Sequence, residues 1–234
     1  CDTGRVEGNW GAAVRVDGAK AVVRLSDSTI TNNESGLVSE NNGKIQSRAD
    51  LLLQEDNIRA LARAGCDDVW MGAESGSQKI LDAMDKGITV EQIREALVLL
   101  RKNAIKTSFF IQFGYLGETK ADIEKTNKMI NELLPDDIGI SVSYPLPGTV
   151  FYEKVKADLG LQRNWKDSDD LKLMFRNTYS PAFYKQLYRY VHRGYHLHRS
   201  LHSFKKLVGE PFSLSYKEIK TALWFLYYFP AYLM

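Results

Sequence analysis

Cysteine is nearly absent from this sequence. Two of its 234 residues, Cys1 and Cys66, are cysteine. That excludes a disulfide scaffold, a four-cysteine zinc site and an iron–sulfur cluster held on three or four thiolates of this sequence. Net charge is also low, +2, so no specific nucleic-acid partner is read from charge alone. Long apolar runs are missing as well. The uncharged final run, Thr221 to Met234, has 14 residues and a proline inside it, whereas a membrane-spanning helix needs about 20. Neither G-x-G-x-x-G nor a phosphate loop ending in Gly-Lys-Ser/Thr occurs, so a nucleotide-triphosphate site is unsupported. The first residues carry no basic segment followed by an apolar one, as an export signal would. With so little cysteine, this points to a reducing cytoplasm. The sequence starts at Cys rather than Met, which fits a fragment or a processed piece.

What is present describes a globular protein: 44% hydrophobic and 26% charged residues. The charge is uneven. Leu171 to Gly209 holds eight basic residues and no Asp or Glu, which leaves −6 on the rest of the chain. Three compositions follow one another. Residues 1–47 contain short alternating stretches, among them Ala13 to Asp17 and Lys44 to Gln46, punctuated by Gly and Asn. They predict a short β-rich segment that resembles coils of a parallel β-helix, about two at most; a few strands of a larger sheet, or a poorly ordered segment, are at least an equal reading.

Residues 48–160 alternate helices and strands. Leu51 to Ala64 is a helix stopped by Gly65, and Asp68 to Ala73 a short apolar strand. A helix over Ser77 to Met84 follows, then one opened by the capping box Thr89-x-x-Gln92. Strands are expected over Lys106 to Phe113 and Ile138 to Ser143, with a helix over Thr119 to Leu133 between them. This order predicts βαβ units on a parallel sheet, open or closed into a barrel. Residues 161–234 form a basic, aromatic, helical tail.

Ligands of parallel α/β sheets bind beyond the carboxyl ends of the strands. Three segments fall there. In Gly72-Ala73-Glu74-Ser75-Gly76-Ser77, a carboxylate and a hydroxyl suit an amine and a ribose. Equally, Glu74 and Ser77 suit the charge and cap of a helix start. In Gly114-Tyr115-Leu116-Gly117-Glu118-Thr119, two glycines let backbone N–H groups approach a ligand, while Glu118 and Thr119 suit helix charge and cap. In Ser141-Val142-Ser143-Tyr144-Pro145-Leu146-Pro147-Gly148-Thr149 the strand ends in hydroxyls and then a rigid proline turn, which the residues alone read as purely a turn.

The strings AGCDDVWMGAESGSQKILDAMDKGIT and FFIQFGYLGET, with ISVSYPLPGTVFY downstream, resemble the radical S-adenosylmethionine (SAM) superfamily. The nearest branch is that of methylthiotransferases and anaerobic, often cobalamin-dependent, cyclases and methyltransferases. The resemblance covers roughly residues 48–160, and Leu171 to Phe204 is weakly similar to the tail after this core in some members. It implies the second half of a partial (β/α) barrel. It implies SAM contacts at Glu74 and Ser75, at Ile111, Gln112 and Gly114 beside the adenine, and at Ser143 near cofactor or substrate. Leu116 stands where the family often has Pro. It implies a 4Fe-4S cluster too, and cobalamin in the full-length protein. The family's C-x-x-x-C-x-x-C loop is not in this sequence, and Cys66 reads as a small buried apolar residue. The expected function is thus the SAM-binding half of a radical SAM enzyme, for radical-based methyl or alkyl transfer or cyclisation, inactive alone. The alternative is a non-catalytic α/β scaffold with a membrane- or partner-binding tail.

In that tail, Lys185, Arg189 and Arg193 form an i, i+4 stripe opposite Leu187 and Val191. Residues 183–206 are therefore an amphipathic basic helix suited to an anionic membrane surface, or to a solvated face. His192 and His196, and His198 and His202, pair at helical spacing. Without a third ligand they read as solvated or core-edge histidines rather than zinc ligands.

Overall fold

The computed structural model describes residues 43–159, 175, 178–209, 216–225 and 227–229, together with the backbone of five short strands before residue 40. Cys1, Lys172, Arg176 and the last five residues, about which the sequence made expectations, lie outside the described residues. Two compact units result: residues 1–112 with 135–141, and residues 113–134 with 142–234.

The first unit begins with β1 (Val6–Glu7), β2 (Ala12–Val16), β3 (Val22–Arg24), β4 (Ile30–Thr31) and β5 (Gly36–Ser39). β1 pairs with β4 from Val6 opposite Ile30, and β2 with β5 from Ala12 opposite Gly36, both in parallel. β3 pairs likewise with β6 (Lys44–Ser47), Val22 opposite Lys44. Three successive strands thus meet, one by one, three later strands, at an offset that falls from 24 residues to 22.

β6 continues into a five-stranded sheet. Its order is β3-β6-β7-β8-β9, with β7 at Asp68–Glu74, β8 at Lys106–Phe113 and β9 at Asp137–Val142. From β6 to β9, strands that neighbour in sequence also neighbour in space, with no switch point. That is the winding of a (β/α) barrel rather than of a doubly wound sheet. The architecture is α/β, a partial (β/α) barrel.

The helices between strands are α1 (Ala49–Leu52), α2 (Glu55–Arg63), α3 (Gln78–Ala83) and α4 (Val90–Lys102). The single helix expected over Leu51 to Ala64 is therefore broken at Leu53 and Gln54. The Thr89 capping box forms as its spacing predicts: the Thr89 hydroxyl accepts from Gln92 N and Gln92 Oε1 accepts from Thr89 N. Period two sets the sheet's faces. Val69, Met71 and Ala73, with Phe109 and Ile111, are buried, and so are Ile80, Leu81, Ile93, Leu97 and Leu100 of the helices. Trp70 and Gly72 alternate with them on the other face, where Trp70 lies 4.8 Å from Phe110. A Cβ on Gly139 would come within 3.0 Å of the Trp70 ring, so glycine lets β9 approach it.

Cys66 is buried in the turn between α2 and β7, its thiol 3.7 Å from the Asp68 carbonyl it donates to. Burial, with help from the charges of Asp68 and Asp67, pushes this thiol from an ordinary 9.0 to about 11. The protonated form is favoured in the folded chain. Cys66 therefore contributes stability in full below pH 9, and that contribution is lost as pH rises towards 11. Mass-spectrometric mapping of iodoacetamide labelling should find the Cys66 peptide unmodified at neutral pH in the folded chain. In urea it should label at the rate of an ordinary thiol. Rapid labelling of the folded chain at neutral pH would contradict this burial.

The second unit holds α5 (Lys120–Leu133), α6 (Val150–Val155), the 29-residue α7 (Pro181–Gly209) and α8 (Tyr216–Leu223). α7 buries Tyr184, Leu187, Val191 and Tyr195. Among the described residues no helix is long and apolar enough to cross a membrane.

Candidate functional site

Within the first unit, β7, β8 and β9 run in parallel, and Glu74, Gln112 and Ser141 lie at their carboxyl ends. The pairing of β7 with β8 slips between Gly72 and Glu74, after which Glu74 sits opposite Ile111. The slip is built at Glu74, whose φ is 57°. Ser75 N donates to Ala73 O at 2.7 Å, closing a three-residue turn around it. A non-glycine residue at the centre of such a turn is strained, and strain of this kind persists where the surroundings enforce it. The enforcing contacts are visible. Glu74 Oε1 accepts from Lys86 Nζ at 2.9 Å. The same oxygen lies 3.2 Å from where a Cβ on Gly72 would stand, so Gly72 makes room for it.

Lys86 is itself held in place. It lies in the α3–α4 loop between Asp85 and Gly87, both at positive φ. Arg48 Nη2 donates to the Lys86 carbonyl at 3.1 Å, and the Gln78 side chain donates to Ile88 O and accepts from Val90 N. The sequence reading missed Lys86, because twelve residues separate it from Glu74 and no helical or strand spacing links them. Its placement in a glycine-containing turn was the one available signal.

Ser75 and Ser77 are buried, and Ser75 Oγ accepts from Ser77 N at 3.1 Å. Ser77 is the N-cap of α3 by position, but its side chain makes no cap bond. The Glu74 carboxylate therefore turns to a lysine, not to the helix start. Ile111 is buried on the side of β8 opposite to Gln112.

Within the second unit, the loop after β8 is a second built feature. Gly114 (φ 80°) donates its N–H to Glu118 Oε2 at 2.6 Å. Glu118 N returns to Tyr115 O at 3.0 Å, with Gly117 at φ 77° in the turn. Glu118 is buried, so the carboxylate expected to charge a helix start instead ties the loop to itself. The α5 cap falls to Thr119, in a capping box with Asp122. Tyr184 of α7 is buried close enough to feel that carboxylate. Burial first, then the Glu118 charge, pushes its hydroxyl far above the usual tyrosine range. Tyr115 stacks on Phe151 at 4.7 Å, and Phe151 meets Phe175 edge-on at 5.5 Å. Ser143 is 1% exposed, its N–H donates to Phe113 O at 2.7 Å, and its Oγ has no hydrogen-bond partner among the described residues. A buried hydroxyl left in this state is costly in a structure without a ligand. No group of three or more His, Cys, Asp or Glu among the described residues is placed to hold a metal ion.

The profile of the Radical SAM superfamily matches residues 21–130. Over these residues the chain is similar to the radical SAM superfamily. The match takes in β3 and β6 as well as β7, β8 and α5. Among curated relatives, an uncharacterized methyltransferase of Pyrococcus horikoshii is 32% identical over 113 residues, which are 48% of this chain and 25% of that protein. The anaerobic magnesium-protoporphyrin IX monomethyl ester cyclase of Rubrivivax gelatinosus is 30% identical over 106 residues, 45% of this chain and 19% of the cyclase. The chain thus spans a quarter or less of these two relatives. Among solved structures, the Elp3 protein of Methanocaldococcus infernus is 22% identical with a TM-score of 0.49, covering 69% of this chain and 33% of that one. The radical SAM stretch contains Glu74, Ser75, Ile111, Gln112 and Gly114; Ser143 lies beyond it.

Proposed function

We propose that this chain supplies a SAM-binding part of a radical SAM enzyme, for methyl or alkyl transfer or cyclisation. The observation that carries the proposal is the strained turn at Glu74, held by Lys86 over Gly72 at a strand's carboxyl end. Such a carboxylate is pre-oriented and can accept from an ammonium group or a ribose hydroxyl. Ser75 and Gln112 are the neighbouring candidates in the same unit. In the other unit, Ser143 offers a buried hydroxyl with donor and acceptor capacity to spare; the resemblance places Gly114 beside the adenine and Ser143 near cofactor or substrate. When bound, SAM supplies an activated sulfonium for radical or alkyl-transfer chemistry. Lys86 fixes the Glu74 carboxylate, Gly72 leaves the room it needs, and Glu118 fixes the Gly114 loop in the other unit.

The 4Fe-4S cluster does not fit these residues. This sequence has two cysteines, and the described one is a buried thiol held protonated. No step through a cluster is derived, and we propose that this chain by itself does not reductively cleave SAM. Cobalamin, if used, belongs to the full-length protein. Titration calorimetry of the chain with SAM is expected to show saturable binding, which Ser143→Ala weakens if the second unit shares in it. Heats indistinguishable from dilution would favour the scaffold reading. Anaerobic reconstitution is expected to leave less than stoichiometric iron and sulfide, and a full cubane spectrum would overturn the inactivity.

A further inference from the structure

The tail presents two surfaces that the proposed cofactor site does not use. One is the basic stripe of α7. Lys185, Arg189 and Arg193 are all exposed, as their spacing predicts. The other is the apolar end of the α8 segment, where Leu223 is 58% exposed, Trp224 43%, Tyr227 62% and Phe229 49%.

Ring contacts between the two helices fix how these surfaces relate. Phe204 of α7 lies 5.7 Å from Phe225, and His196 lies 5.0 Å from Tyr228, its ring nearly parallel to the tyrosine's. Rising numbers after α8 therefore meet falling numbers along α7. The chain at Tyr227 to Phe229 runs back towards Arg193. At 3.6 residues per turn, Lys185 and Arg189 point within about 20° of the direction of His196, the residue on which Tyr228 stacks. The basic stripe thus continues the strip of α7 that the aromatic segment covers. Cations and exposed rings share one side of the helix pair.

We infer that this side docks on an anionic phospholipid bilayer. The charge fits: the segment from Leu171 to Gly209 has eight basic residues and no acidic one. Lys and Arg stems lie along apolar surface while their heads reach phosphates. The apolar part fits as well. Trp and Tyr suit the headgroup boundary, and exposed Leu223 gains area among acyl chains but nothing against a nucleic-acid base. No described helix spans a membrane, so the contact is with the surface.

Flotation of the 234-residue chain tests this. One set of vesicles is phosphatidylcholine alone, the other phosphatidylcholine with phosphatidylglycerol. The chain is expected to float with the anionic vesicles, to stay behind with the neutral ones, and to be released by high salt. Lys185→Glu with Arg189→Glu and Arg193→Glu should weaken binding by at least about a hundredfold, since each basic side chain near such a surface contributes roughly fivefold. All three positions are exposed, and an unchanged melting temperature checks the fold. Trp224→Ser with Tyr227→Ser should weaken binding while leaving the salt dependence in place. Equal binding to both vesicle types, no flotation, wild-type binding by the triple variant, or capture by RNA in place of vesicles would each overturn the inference.

Discussion

Glu74→Ala is expected to bind SAM about ten- to a hundredfold more weakly than the unaltered chain, measured by calorimetry under identical conditions. A hydrogen bond to a charged group contributes roughly 1.5–3 kcal/mol, which is that range of affinity. The substitution removes little else. Lys86 loses its partner but is 38% exposed at its side chain, so water replaces the carboxylate at small cost. The backbone supplies a second readout. With φ at 57°, residue 74 is strained for any side chain with a Cβ. Glu74→Gly should therefore melt at a higher temperature than the unaltered chain, by roughly 0.5–1 kcal/mol of added stability, and still bind poorly. Lys86→Ala, which frees the carboxylate without removing it, should lose only severalfold in affinity. Equal SAM affinity in all four proteins would remove Glu74 from the site.

Phe109→Ala should lower the stability of the first unit by about 3–5 kcal/mol in urea unfolding. Phe109 is fully buried in β8, opposite Met71 of β7 and on the face that the helices cover. A residue boxed in by a central strand and helices leaves a cavity that little can collapse into. Domains of this size hold about 5–15 kcal/mol in total, so the variant is expected to be partly unfolded at physiological temperature. Val98→Ala, at a position of α4 that is 48% exposed, should stay within about 0.5 kcal/mol. Similar losses at both positions would mean that Phe109 is not in a packed core.

The alternation of elements was legible because each carries its period. β8 ends where its β-branched and aromatic run ends, and α4 starts at its capping box. The break between α1 and α2 was not legible. Leu52 and Ile58 keep helical spacing across it, and nothing in Leu53-Gln54 forbids a helix. The strand-end position of Glu74 was readable from chain order alone, but its partner was not. Lys86 comes to it through two left-handed residues and a hydrogen bond from Arg48, all tertiary facts. The partner of Glu118 was not legible for a related reason. An acid one residue before a helix cap ordinarily faces the helix, and only the Gly114 turn shows that this one looks backwards.

The place of β7 in the sheet also bears on motion. It is the third of five strands, hydrogen-bonded along both edges, to β6 and to β8. Amides in such a strand exchange with solvent only when the whole sheet opens, whereas loop amides exchange through small local openings. Glu74 is the last residue of β7. A strained backbone position of the first unit is thus anchored to its slowest-opening element. The Glu74 backbone keeps its place through the small local openings that release loop amides.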